Sequence, residues 1–169
     1  MNSVETPTES RVQASLPGAY FHDTFEIAIK DSDQTALELY LSVVASTPGW
    51  IKFLMRLRNR IVVIFGLKNL GDLGDINSHK SPSEYQVGQR VGIFSILSMS
   101  DQELVLGDDD KHLNAQVSIY KYQGESQKVA VTTVVHIHNF LGRAYLFFVV
   151  PMHKLIVPAM LTKALNTSR

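Results

Sequence analysis

Asp108, Asp109, Asp110, Lys111 and His112, followed by His136 and His138, form the densest group of ionisable side chains in the sequence. Carboxylates beside imidazoles support two chemistries. A carboxylate that orients an imidazole makes a general acid or base. Several such groups converging make a divalent-metal site. The His136-x-His138 spacing puts two imidazoles on one side of a strand, about 7 Å apart. Asp108, Asp110 or His112 across the ladder would complete a ligand set. The same residue types also recur on solvated sheets as cross-strand hydrogen bonds and charge pairs. The reading therefore expects no metal and no cofactor, and keeps Asp108, Asp110, His112, His136 and His138 as acid–base candidates.

Strand parity decides where these groups point. On one strand from Gly107 to Tyr120, Asp108, Asp110, His112, Asn114, Gln116, Ser118 and Tyr120 share a face. Asp109, Lys111, Leu113, Ala115, Val117 and Ile119 share the other, and its aliphatic character predicts that it faces the core. In the following strand, Val129, Val131, Thr133, Val135 and Ile137 are predicted inside, with His136 and His138 outside beside His112 and Asn114. That requires an odd-length turn, such as Tyr122-Gln123-Gly124. A two-residue Gly124-Glu125 turn would instead bring both histidines inward. Burial favours the first arrangement.

Other catalytic signatures are missing. No serine sits in a Gly-x-Ser-x-Gly elbow, and no Gly-rich dinucleotide fingerprint is present. The Gly71-Asp-Leu-Gly-Asp75 stretch lacks the Gly-Lys-Ser/Thr ending of a phosphate loop. The chain has no cysteine, which excludes disulfides, thiolate metal sites and a Cys nucleophile. Sixteen basic residues balance sixteen acidic ones, so the charge excess usual for nucleic-acid binding is missing. The reading expects no nucleic-acid partner. Zero net charge also removes one protection against self-association, leaving a homodimer open.

The elements that must position the cluster follow from hydrophobic pattern. Residues 1–18 are polar, end in Pro17-Gly18, and read as a flexible tail before a single domain spanning 19–169. Tyr20 to Lys30 alternates, with Phe21, Phe25, Ile27 and Ile29 on one face, and reads as a half-buried strand. Asp31-Ser32-Asp33 offers caps for a helix over Ala36–Ala45. Thr47 and Pro48 open a second helix from Gly49 to about Phe65, ended by Gly66. Its stripe of Trp50, Phe53, Leu54, Leu57, Ile61, Ile64 and Phe65 opposes Lys52, Arg56, Asn59 and Arg60. Such a basic amphipathic helix suits an anionic membrane, but its commoner use is to bury the stripe in a core. Lys68 to Gln89 reads as a long loop, with room for a short edge strand. Val91–Met99 and Glu103–Gly107 read as strands around a turn.

Phe140 to Leu165 admits two readings. Leu141, Tyr145, Phe148, Met152, Leu155 and Ala159 follow helical spacing, with Asn139 as a cap. Pro151 and Pro158 would then kink one long helix. Alternatively, Ala144–Val150 is a strand and a helix starts at Pro151. The unbroken apolar run Ala144–Met152 is too short to span a bilayer, and Met1–Ala14 has no signal-peptide pattern. The expectation is a cytoplasmic protein without membrane insertion.

Several stretches carry a family resemblance: Thr47-Pro-Gly-Trp, Leu54-Met-Arg-Leu-Arg-Asn-Arg, Tyr85-Gln-Val-Gly, Gly107-Asp-Asp-Asp-Lys-His-Leu, His138-Asn-Phe-Leu-Gly-Arg and Pro151-Met-His-Lys-Leu-Ile-Val-Pro-Ala-Met. With the order strand, two helices, antiparallel strands and C-terminal helix, they resemble a bacterial family of unknown function. That family lies within the helix-grip superfamily (START, polyketide-cyclase-like and birch-allergen-like, or SRPBCC). The resemblance implies an α+β fold: about six antiparallel strands in a curved sheet, two short helices after the first strand, and a long C-terminal helix on the concave face. It implies a small apolar ligand in the cavity between them and favours the kinked helix. The ligand-lining candidates are Phe25, Ile27, Phe53, Leu57, Val117, Tyr145, Phe148 and Met152, each of which serves equally as plain core. An acid–base enzyme and a homodimeric interaction module are the alternatives.

Overall fold

The computed structural model describes residues 3–29, 33–64, 71, 80–123 and 127–167. Six strands form one antiparallel sheet: β1 (Phe21–Ala28), β2 (Arg90–Val91), β3 (Phe94–Met99), β4 (Glu103–Asp109), β5 (Leu113–Lys121) and β6 (Lys128–Ile137). Their spatial order is β1-β6-β5-β4-β3-β2, so the first strand lies beside the last. Two helices follow β1, α1 (Ala36–Ala45) and α2 (Gly49–Ile64), and α3 (Phe140–Thr167) closes the chain. This is the expected α+β arrangement, with α3 contacting both the sheet and α1.

Register defines two faces. Asp23, Thr133, Val117, Leu106 and Ile96 form one transverse row, and Phe25, Val131, Ile119 and Leu104 the next. This face carries the core. Phe25, Ile27, Ile96, Leu104, Leu106 and Ile119 pack with Leu37, Tyr40 and Val44 of α1, Ile51 of α2, and Met160 and Leu161 of α3. Burying each such side chain contributes about 2 kcal/mol. Lys121 pairs with Val129 and Asn114 with His136, so the odd parity chosen on burial holds. Gly124 and Glu125, on which the turn alternatives rested, lie outside the described residues.

The opposite face is polar, and the N-terminal segment covers it. Residues 1–18 were expected to form a tail. Instead Val4 N–H donates to the Thr24 carbonyl, a 3-10 turn spans Arg11–Ser15, and Val12 is only 1% exposed. Thr6 bonds Thr24, which bonds Thr132, and Ser15 bonds Gln116. A polar segment can dock here because its partner surface is polar too, and buried polar groups need partners.

Local signals account for several differences from expectation. Thr35, rather than Asp33, caps α1, in a capping box with Glu38; Asp31 and Ser32 lie outside the described residues. The Thr47 hydroxyl donates back to the Val44 carbonyl at 2.6 Å, terminating α1. An edge strand does form, but at Arg90–Val91, just beyond the long loop. Of that loop, residues 68–70 and 72–79 lie outside the described residues, as do Lys30, Phe65 and Gly66. The α3 helix runs unbroken through Pro151 and Pro158, so the alternative strand at Ala144–Val150 is not formed. Gly142 N–H donates to Asn139 Oδ1 at 3.1 Å, making Asn139 the expected cap.

The largest reversal is in α2. Four members of its expected apolar stripe do not face the core: Trp50 is 46% exposed, Phe53 65%, Leu57 43% and Ile61 47%, while Leu54 is half-buried. Ile51, outside that stripe, is the α2 residue that joins the core.

Candidate functional site

Alternation along β1 places Asp23 between Phe21 and Phe25 on the face that α3 covers. A carboxylate there is removed from water; Asp23 is 7% exposed. From the middle of α3, the Nε2 of His153 comes within 3.1 Å of Asp23 Oδ1. The imidazole is itself largely buried and stands edge-on to the Phe21 ring, with centroids 5.6 Å apart and planes at 84°. Thr133 lies directly across the ladder from Asp23.

One atom in this arrangement has no partner. Asp23 Oδ2 is buried without a hydrogen bond. Leaving a buried acceptor unpaired costs about 1–3 kcal/mol, more when it carries charge. The pair offers a ligand that oxygen as an acceptor. It also offers an imidazole oriented by a carboxylate, the arrangement that holds one ring nitrogen protonated and leaves the other basic.

Residues 15–160 match the family described as Protein of unknown function (DUF2867). The chain belongs to this DUF2867 family. No curated protein and no solved structure matches it. Asp23 and His153 both fall within the span shared with the DUF2867 family.

Neither residue was among the predicted site residues, although both leave a trace in the sequence. Asp23 is the one polar residue among Phe21, Phe25, Ile27 and Ile29 on its strand face. His153 interrupts the apolar sequence of α3. A charged or polar residue at an apolar position needs a buried partner, and each supplies the other's.

The predicted acid–base cluster does not converge. The chain turns at 110–112, so β4 and β5 are separate strands and parity does not carry across Asp108 to His112. Asp108 pairs with Ala115 on the helix-covered face, and Asp109 with Asn114 on the other. Asp109 Oδ1 and His138 Nε2 form a 3.1 Å ion pair between exposed side chains. Asp110 accepts from the Lys111 amide, and His112 Nδ1 lies against the Asn139 side chain. The His136 ring bonds the Ser15 carbonyl at 2.8 Å, beneath the N-terminal segment. Among the described residues, no group of three or more His, Asp or Glu is placed to hold a metal.

The predicted apolar lining also divides. Phe25 and Ile27 are core residues. Val117, Tyr145 and Met152 are half-buried, and Val117 packs against the core. Tyr145 fixes α2 against α3, its hydroxyl accepting from Arg58 Nε at 3.0 Å with the guanidinium 5.3 Å from the ring centroid. Phe53, Leu57 and Phe148 do not line an enclosed space. They lie on an open surface, Phe148 being 72% exposed, because α2 and the first half of α3 turn these side chains outward.

The far face holds a second buried carboxylate, but a satisfied one. Glu103 accepts from Ser10 Oγ at 2.5 Å, Ser118 Oγ at 2.7 Å and the Arg11 amide at 3.0 Å. Beside it, the Tyr120 hydroxyl donates to Glu9 at 2.8 Å. Burial and the neighbouring Glu9 carboxylate push the Tyr120 phenol up to about 12. A polar depression of about 180 Å³ opens here, bordered by Glu9, Arg11, Gln102 and Gln123. Its carboxylates are already engaged, so these groups hold the N-terminal segment in place.

Proposed function

We propose that this DUF2867 chain is a helix-grip binding protein. It takes a small, mainly apolar molecule carrying one hydrogen-bond donor, held between the sheet and the first half of α3. The single observation behind this reading is the unpartnered Oδ2 of Asp23. A donor on the ligand would satisfy that atom, and half-buried Val117, Tyr145 and Met152 would supply apolar contact. The strand order and the C-terminal helix are consistent with membership of the START-like superfamily, where an apolar ligand between sheet and helix is the common use.

A catalytic reading uses the same pair, because the 3.1 Å contact orients His153 as an acid–base group. Native mass spectrometry of protein purified from its own host separates the two readings. A retained small molecule, lost in Asp23→Leu, supports binding. A molecule recovered chemically altered after incubation with wild type but not with His153→Gln favours catalysis. A host-purified wild type that carries nothing, and takes up nothing from a host lipid extract, defeats the binding proposal.

A further inference from the structure

All sixteen acidic residues of the chain lie outside α2 and α3. The two helices carry only positive charge: Lys52, Arg56, Arg58 and Arg60 on α2, and Arg143, Lys154 and Lys163 on α3. Seven of the sixteen basic residues thus sit on two helices that carry no acid, in a chain of zero net charge.

Those helices also bear most of the exposed large apolar side chains among the described residues. On α2, Trp50, Phe53, Leu57 and Ile61 follow spacings of three and four, and Val63 is exposed as well. On α3 they are Phe140, Phe147, Phe148 and Leu155. The segment Phe140–Ala164 is long and apolar enough to cross a membrane, yet only 17% of its most apolar window is buried. The core helix of a globular domain would be mostly covered. The unbroken run Ala144–Met152 understated this helix, because its few polar residues are widely spaced.

We propose that α2 and the outward stripe of α3 dock the protein on an anionic membrane surface. Aromatic and aliphatic side chains enter the headgroup boundary while the cations meet lipid phosphates, the use to which basic amphipathic helices are suited. The attachment is peripheral. Leu146, Met160, Leu161 and Ala164 are buried in the body of the protein, and His153 is held by Asp23, so α3 stays on the sheet. A second copy fits the surface less well, since a symmetric contact would set the basic residues of these helices against one another. This proposal is independent of the ligand reading.

Trp50 is the only tryptophan in the chain and reports directly. Full-length protein is mixed with vesicles of phosphatidylcholine, alone or with phosphatidylglycerol. With the anionic vesicles, co-sedimentation and a blue shift of Trp50 emission are expected, both reversed by high salt. The double variant Phe53→Ser, Phe148→Ser should weaken binding about tenfold or more. Lys52→Glu with Arg60→Glu should abolish it. Both alter exposed positions, and circular dichroism checks that they fold. Equal behaviour with both vesicle types, or no sedimentation with either, overturns the proposal. So does a stable dimer in solution with Trp50 already blue-shifted without lipid, which would mean that a second copy covers this face.

Discussion

The imidazole of His153 and the carboxylate of Asp23 join the two ends of the domain: one comes from the first strand, the other from the last helix. Removing one partner has a different consequence from removing the other. In His153→Ala, Asp23 keeps its buried position and its carboxylate loses the hydrogen bond to the imidazole. Urea unfolding should show a loss of about 1–3 kcal/mol. In Asp23→Asn the buried charge disappears and an amide can still meet the imidazole. Stability should change by less than about 1 kcal/mol, while any ligand held by Oδ2 is released. Equal, large destabilisation by both changes would indicate a purely structural pair.

Gly142, at the start of α3, has no room for a side chain. A Cβ built there meets the His112 carbonyl oxygen at 2.1 Å, and that atom is backbone in the β4–β5 turn. Gly142→Ala must push helix and hairpin apart. A destabilisation of about 2 kcal/mol or more is expected from overpacking of this kind, measured by the shift of the urea midpoint at constant slope.

The Glu103 carboxylate holds the N-terminal segment through the Ser10 hydroxyl and the Arg11 amide, and also accepts from the Ser118 hydroxyl of β5. Glu103→Ala strands those donors and should destabilise the protein by about 3 kcal/mol. The local effect is more diagnostic. Limited trypsin digestion should leave the bond after Arg11 intact in the wild type and cut it rapidly in the variant, since the segment then detaches before global unfolding.

Tyr120 gives a pH dependence with a definite sign. Its folded phenol titrates at about 12, against an ordinary value of 10.0. The unfolded chain therefore releases this proton first. Stability from this group is full below pH 10.0, falls as pH rises, and is lost above the folded value. Burial also raises the Tyr40 phenol, so phenolate absorbance should show one late-titrating tyrosine fewer in Tyr120→Phe, and that variant should lose less stability between neutral pH and pH 11.

The sequence made β1, α1, α2 and the parity of β6 readable, because apolar alternation and apolar helical spacing record burial, whereas Val91–Met99 divides into β2 and β3 and the residue pattern of α3, with its two prolines, fitted helix or strand. The cap at Asn139 was readable for the same kind of local reason. What it hid depends on tertiary neighbours. The turn at 110–112 lies in a run of polar residues that fits strand or loop, so Asp108 and Asp109 were assigned to the wrong faces. The amphipathic pattern of α2 marks one apolar side but does not say whether protein or solvent meets it. The N-terminal segment has the composition of a tail, and only the polar far face of the sheet explains its docking. Asp23 and His153 were visible as interruptions, but their meeting depends on where α3 crosses β1.

Because β1 adds to the sheet beside β6, its hydrogen-bonding partner is made about a hundred residues later along the chain. During synthesis, the first strand must wait unpaired until β6 has emerged. Removing β6 and α3 would then cost more than their own contacts, because β1 would lose its ladder and Asp23 its histidine.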